Sequence, residues 1–137
     1  MDPAADPRTG LVTIDPGECW QLLASNQVGR LAVNIAGRPD VFPINYALDG
    51  ETIVFRTEGG TKLAGALLGS GVAFEVDEID VAARTGWSVV VHGEAQEIGD
   101  VEGLLDAEDL PLDVWSPATK SRWVRIVPSE ISGRRLA

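Results

Sequence analysis

A chain of 137 residues with 45% hydrophobic and 23% charged side chains has the composition of a single folded domain rather than of a disordered protein. Its 21 acidic and 11 basic side chains give a net charge of −10, so its overall field repels nucleic acids and anionic lipids. One cysteine excludes an internal disulfide, and no apolar run has the length of a membrane span. We therefore expect a cytoplasmic protein with no nucleic-acid or membrane partner.

The first predicted element is a helix. Residues 1–10 are rich in Pro, Asp and Gly, and we interpret them as a flexible leader before a single domain over residues 11–137. Asp15 suits an N-cap, Pro16 suits the first helical position, and Glu18 falls three residues after the cap. These signals predict a short helix over residues 15–26.

A hairpin follows this helix. "VGRLAVNIAG" alternates apolar and polar residues with the period of a half-buried strand, and "VFPINYAL" is predicted as a second strand with Pro43 at an edge or bulge. The pair Asp49-Gly50 lies between apolar runs, which is a strong hairpin signal. It predicts that "TIVFRT" pairs with "FPINYAL" in an antiparallel hairpin.

The second half of the chain also contains both predicted helices and predicted strands. "TKLAGALLG" and the first half of "DVEGLLDAEDLPLDVW" are predicted as short helices. Three further strands are predicted in "GVAFEVDEID", "GWSVVVHGEAQEI" and "SRWVRIVPSEISGRRL". Six strands in antiparallel hairpins, with three short connecting helices, indicate a mainly β barrel or sandwich of the α+β class.

The stretch "FRTEGGTKL" concentrates hydrogen-bond donors in an otherwise acidic chain. Arg56 offers a planar guanidinium, Thr57 and Thr61 offer hydroxyls, and Lys62 adds a second cation at the start of a helix. Gly59 and Gly60 let backbone amides approach a ligand closely. This pattern suits a phosphate, although its spacing is not that of a P-loop. The alternative is a plain glycine turn flanked by solvated charges.

Residues 27–98, together with the closing "RWVRIVPSEISGRRL", resemble the pyridoxamine 5′-phosphate oxidase-like family of flavin-binding split barrels, in particular its small actinobacterial members. The resemblance implies a six-stranded antiparallel split β-barrel that forms a homodimer with two flavin sites at the interface. It assigns the flavin phosphate to Arg56, Thr57, Thr61 and Lys62.

The resemblance also implies residues around the flavin ring. Pro43, Ile44 and Asn45 would line the isoalloxazine, with Trp87 and Ser88 contributed by either subunit. The R-x-V-L-L-K run and the Arg-x-His motif of the full-length oxidases are absent, so oxidation of pyridoxamine phosphate is not expected. The histidine that nitroimidazole-resistance-like relatives carry near the phosphate segment is also absent.

Other single residues are interpreted as structural. His92 and Cys19 lack the partner pattern of a catalytic group, and Trp20, Trp115 and Trp123 suit packing in the core or in a dimer. The carboxylates between residues 94 and 109 suit a solvated surface. No metal site is predicted.

The sequence thus predicts an FMN-binding oxidoreductase that transfers hydride or electrons to or from a small organic substrate. Such a protein binds and orients its cofactor, so no acid/base triad is needed. The deazaflavin F420 is the alternative cofactor, although the acidic chain disfavours its anionic tail. A protein that carries or senses the cofactor without turnover is the alternative function.

Overall fold

The computed structural model describes residues 4–59, 61–67, 70–116 and 122–136. No helix in this part of the chain is long and apolar enough to cross a membrane. In chain order the elements are β1 (Leu11–Ile14), α1 (Pro16–Ala24), β2 (Val28–Ile35), β3 (Arg38–Asn45), β4 (Ala47–Asp49), β5 (Thr52–Thr57), α2 (Lys62–Leu67), β6 (Gly71–Asp80), β7 (Thr85–Glu97), α3 (Val101–Glu108) and β8 (Arg122–Leu136).

The strands form one antiparallel sheet in the order β3-β2-β6-β7-β8-β5-β4, with β1 added beside β8. The two outer strands of this order, β3 and β4, follow each other in the chain, and β3 contacts β5. The sheet therefore curves back on itself into a half-barrel. The predicted fold, an antiparallel split barrel of the α+β class with short connecting helices, is confirmed.

The predicted count of six strands is wrong, because the described residues form eight. "VFPINYAL" divides at Tyr46, whose backbone N–H donates to the carbonyl of Gln27 and whose hydroxyl donates to the carbonyl of Leu23. These bonds turn the chain, so β3 pairs with β2 whereas β4 pairs with β5. The other added strand, β1, pairs with the C-terminal end of β8.

The predicted starts of the first helix and of the hairpin are both confirmed. Asp15 caps α1 by accepting a hydrogen bond from the Glu18 N–H at 2.9 Å. In the β4–β5 hairpin Asp49 pairs with Thr52, and Gly50 begins the two-residue loop at φ +57°. Glycine adopts this left-handed conformation without a steric penalty.

The main core fills the inside of the half-barrel with side chains that include Leu31, Phe55, Phe74, Val89 and Ile126. A second, smaller cluster lies on the outer side of β5 and β8. There α3 and the residues next to it cover the side chains of Val54 and Trp123. The acidic segment that contains α3 is therefore packed against the outside of the barrel.

Tyr46 makes folding sensitive to alkaline pH. Burial raises the pKa of its phenol above the ordinary value of 10.0. Above about pH 10 the unfolded chain loses a proton that the folded chain retains, so the free energy of unfolding should fall as the pH rises further. Tyr46→Phe should cost about 1 to 3 kcal/mol at neutral pH, because the Leu23 carbonyl loses its donor.

Urea denaturation at about pH 8 and about pH 11 checks this prediction. The native chain should lose more stability between the two pH values than Tyr46→Phe does. Equal losses in both proteins would show that Tyr46 does not cause the alkaline sensitivity.

Candidate functional site

The last two residues of β5, Arg56 and Thr57, were both predicted to hold a phosphate, but they face opposite sides of the sheet. Successive side chains of a strand alternate between faces. Thr57 is 5% exposed and lies on the inner side, whereas Arg56 lies on the outer side over Trp123. The guanidinium carbon of Arg56 is 4.7 Å from the centroid of the Trp123 ring.

The Arg56 side chain has unused hydrogen-bonding capacity. Its Nε is the one buried side-chain nitrogen or oxygen in the described part of the chain without a hydrogen-bond partner. A buried donor left unsatisfied costs about 1 to 3 kcal/mol. The stacking on Trp123 holds the guanidinium in place, and no described carboxylate forms an ion pair with it. Arg56 therefore retains a buried donor that no described residue satisfies.

The three residues predicted beside the flavin ring lie at the end of β3, next to β5. Asn45 is the last residue of β3 and pairs with Val28 of β2, and β3 also contacts β5. The Asn45 Oδ1 accepts the backbone N–H of Trp115 at 3.0 Å. Ile44 packs against the main core, and Pro43 is exposed. The strands β3 and β5 are thus in contact, but Ile44 faces the main core whereas Arg56 lies on the outer side over Trp123.

Trp115 was predicted to pack in the core or in a dimer, but its side chain is 65% exposed in the chain. Its backbone bond to Asn45 fixes it beside the end of β3. An exposed indole at the end of β3 suits contact with a planar ligand or with a second subunit. The sequence carries no periodic signal for this residue, because it follows α3 in a segment without regular structure.

A cleft of about 700 Å³ lies on the inner side of the β5 end, between the β2–β3 turn and α2. We call it the α2 cleft; its walls include Arg38, Phe42, Thr57 and Thr61. Arg38 forms no ion pair among the described residues, and the sequence analysis missed it because "IAGRPD" was interpreted only as a turn. The carboxylates of Asp40 and Glu58 also line this cleft and oppose the binding of an anion there.

Thr61 already uses its hydroxyl within the chain. It donates to the carbonyl of Glu58 at 3.0 Å and accepts the N–H of Ala64 at 3.1 Å, so it caps α2. Its proton is therefore not free for a ligand. Lys62 begins α2 as predicted, but its side chain lies outside the described residues, as does Gly60.

Trp87 and Ser88 lie far from the other predicted site residues within one protomer. Ser88 lies at the level of Asp77 on β6, because these two residues pair. Ala32 of β2 pairs with Ala73 of β6, and the α2 cleft begins three residues further along β2, at Ile35. At about 3.3 Å per residue, the two levels are separated by about 20 Å along the strands. Within one chain the structure does not bring Trp87 and Ser88 to the end of β5.

The remaining reactive side chains do not assemble into a catalytic group. Burial raises the pKa of the Cys19 thiol, and the nearby carboxylates of Asp15 and Glu18 raise it further, so the thiol stays protonated. His92 is exposed on β7, away from Arg56. In the described residues no group of three His, Cys, Asp or Glu side chains is arranged to hold a metal ion.

The antiparallel half-barrel, with hydrogen-bond donors at the end of β5, places this chain in the class of split-barrel proteins. The model of the family described as "Pyridoxamine 5'-phosphate oxidase" matches residues 15–135. This chain belongs to that family.

Similar proteins include chains from two mycobacteria and from Mesorhizobium loti. A structure titled "FAD binding protein" from Mycobacterium smegmatis is 38% identical, has a TM-score of 0.81, and aligns over 92% of this chain and 100% of its own. A structure titled "fad-binding protein" from Mesorhizobium loti is 28% identical, with a TM-score of 0.77 and coverage of 93% and 99%. An uncharacterized protein from Mycobacterium tuberculosis is 34% identical over 92% of this chain and 86% of its own.

Proposed function

We propose that the chain binds a flavin nucleotide, with FMN as the predicted cofactor, and that it works as an oxidoreductase on a small organic substrate. The family membership and the two similar structures titled as FAD-binding support a flavin. The observation that carries the proposal is the buried Nε of Arg56, which has no hydrogen-bond partner among the described residues. A flavin phosphate is an acceptor that would satisfy it.

Arg56 is the principal phosphate donor in this proposal. Its stacking on Trp123 fixes the guanidinium before the ligand arrives, which lowers the entropy lost on binding. No carboxylate in the described ranges is paired with it, whereas Asp40 and Glu58 line the α2 cleft on the other side of β5. Thr57 faces the α2 cleft on that other side, so it does not share the phosphate site of Arg56 in this proposal. Lys62 is the second cation proposed for the phosphate, and Thr61 acts by holding the start of α2.

The bound flavin would supply the hydride or electron transfer. In this proposal Pro43, Ile44 and Asn45, at the end of β3, position the ring, and the hydrogen bond from Trp115 fixes the amide of Asn45. Trp87 and Ser88 can join the same site only from a second subunit, so their inclusion in this proposal requires the predicted homodimer with sites at the interface. A cytoplasmic location remains part of this proposal.

FAD is the second candidate cofactor, because two similar structures are titled as FAD-binding. FAD contains the FMN unit, with the FMN phosphate joined into a pyrophosphate. The proposed role of Arg56, to hold that phosphate, is therefore the same for both cofactors. F420 is less favoured because the chain carries a net charge of −10. A carrier or sensor would use the same binding site without turnover.

The visible absorption of the purified protein tests the proposal, with mass spectrometry of whatever denaturation releases. We expect a flavin spectrum and a released mass of FMN or FAD. If the protein is colourless, the same chain is titrated with FMN, FAD and F420. Binding no tighter than millimolar for all three would refute a flavin-binding function. Reduction of the bound flavin without transfer to any tested acceptor would favour the carrier.

A further inference from the structure

The β2–β3 hairpin is joined to the other strands by a short ladder. Within the hairpin, residues 28–35 pair with residues 38–45, but only residues 30–32 of β2 pair with β6. β3 ends the strand order, so no second ladder holds the hairpin in the described part of the chain. The hairpin carries Arg38 and Phe42, which line the α2 cleft. Its position against β6 therefore affects the shape of that cleft.

An ion cluster crosses this short ladder. The Nε and Nη2 of Arg30 donate to the Glu75 Oε1 at 3.0 and 2.8 Å, and the same Nη2 lies 3.0 Å from the Asp77 Oδ1. Glu75 lies opposite Arg30 in the register, and Asp77 follows on the same face of β6. Only about a third of each side chain is exposed, so solvent screens the three charges incompletely. We call these three residues the Arg30 cluster.

The Arg30 cluster contains two carboxyl groups but one cation. The residues that pair with its members on β3 and β7 carry no charge: Pro43, Ser88 and Val90. Three other charged or titratable side chains face the same region. They are Tyr46, whose phenol interacts with Arg30, His92, which pairs with Ala73 two residues before Glu75, and Arg134, which pairs with Ser88. Arg30 is therefore the cation in direct contact with both carboxyl groups.

The two carboxyl groups share a hydrogen bond, which requires a proton on one of them. Burial raises the pKa of Glu75 above its ordinary value of 4.5, and the hydrogen bond to Asp77 raises it further, whereas Arg30 opposes both effects. The same hydrogen bond, together with Arg30, holds the pKa of Asp77 below its ordinary value. Glu75 therefore carries the proton, and Arg30 neutralises Asp77. Once Glu75 ionises, the cluster contains a negative charge that Arg30 cannot neutralise.

We propose that the Arg30 cluster is a one-proton switch that controls how firmly the β2–β3 hairpin is held against β6. With the proton on Glu75, the cluster has no net charge and holds the hairpin closed. Without the proton, the carboxylates of Glu75 and Asp77 repel each other, and the hairpin separates from β6 more often.

The direction of the pH dependence follows from the exposure of Glu75 on opening. In water its pKa returns to the ordinary value, so the closed form holds the proton to a higher pH than the open form does. Closure is therefore favoured at low pH and is lost as the pH rises from about 4.5 through the raised pKa of Glu75. The proposal does not depend on flavin binding, because every group in it belongs to the free chain.

Hydrogen exchange of the free chain, followed by mass spectrometry, tests the switch. After correction for the intrinsic exchange rate, the protection of residues 28–45 should fall as the pH is raised from about 5 to about 8. The fall should be about tenfold for each pH unit over which only the closed form keeps its proton. Protection in β7 and β8 should change much less.

Glu75→Gln should remove this pH dependence and keep the protection of residues 28–45 at its low-pH level. Its amide can still donate to Asp77 but does not titrate. Asp77→Asn should also reduce the dependence, because Glu75 then contacts Arg30 without a second carboxylate. Glu78→Gln is the matched control, because it removes an exposed carboxylate of the same strand outside the Arg30 cluster. It should behave as the native chain does.

Four results would overturn the proposal. The first is constant protection of residues 28–45 across the pH range, or the same change in the native chain and in Glu75→Gln. The second is loss of the pH dependence in His92→Gln, which would assign it to the histidine. The third is an equal fall in β7 and β8, which would indicate global unfolding. The fourth is a pH dependence that varies with protein concentration, which would assign it to association of two chains.

Discussion

Replacing Arg56 with glutamine should weaken FMN binding by about tenfold to a hundredfold and leave riboflavin binding nearly unchanged. Hydrogen bonds to a charged group contribute about 1.5 to 3 kcal/mol, and riboflavin lacks the phosphate that would accept them. The substitution also removes the buried Nε, for which the described part of the chain offers no hydrogen-bond partner. The folded state should therefore lose little stability. Isothermal titration calorimetry of both ligands checks the prediction.

Arg38→Gln is the informative comparison, because Arg38 is the cation of the α2 cleft. If Arg38→Gln lowered the FMN affinity and Arg56→Gln did not, the phosphate would have to bind on the inner side of β5. That result would contradict the role of Arg56. Glu58→Gln provides the opposite charge change in that cleft. It should tighten FMN binding only if the phosphate lies there.

Gly93→Ala should destabilise the fold by about 3 kcal/mol, which corresponds to a decrease of about 10 °C in the unfolding temperature. A Cβ at Gly93 would lie 2.3 Å from the Val127 carbonyl oxygen and 3.0 Å from the Pro128 Cα. Both atoms belong to the backbone of β8, so neither can move aside as a side chain would. The β7–β8 register shifts between His92 and Gly93 at this point, opposite the proline that cannot donate to the ladder.

Gly71→Ala is the matched control for this prediction. Gly71 also lies in a strand, but no atom lies within 4 Å of a Cβ built there. Differential scanning calorimetry of the two variants should show a large decrease only for Gly93→Ala. Similar unfolding temperatures for both variants would show that the close approach at Gly93 is not required.

Local signals in the sequence were sufficient for most of the fold. The Asp15 cap and the Asp49-Gly50 hairpin depend on interactions between residues a few positions apart, so the pattern predicts them correctly. The division at Tyr46 depends on hydrogen bonds to Leu23 and Gln27, which lie about twenty residues away in the chain. Alternation of apolar residues carries no information about such bonds.

The sequence identified the segment that carries the predicted site, but not the directions in which its side chains point. The sequence placed Arg56 and Thr57 together, and strand alternation then put their side chains on opposite faces. The role of Thr61 as a helix cap could have been inferred, because a threonine three residues before the N–H of Ala64 matches the capping pattern. Arg38 and Trp115 are far from residues 56–62 in the sequence. Only tertiary contacts bring Arg38 to the α2 cleft and Trp115 to the end of β3.

The central claim is that this chain holds the phosphate of a flavin nucleotide at the end of β5. The most direct test is the ratio of the dissociation constants of riboflavin and FMN for the native chain, measured by calorimetry under the same conditions. We predict that FMN binds at least about tenfold more tightly, as a charge-assisted contact with Arg56 requires. Equal affinities for FMN and riboflavin would contradict the claim.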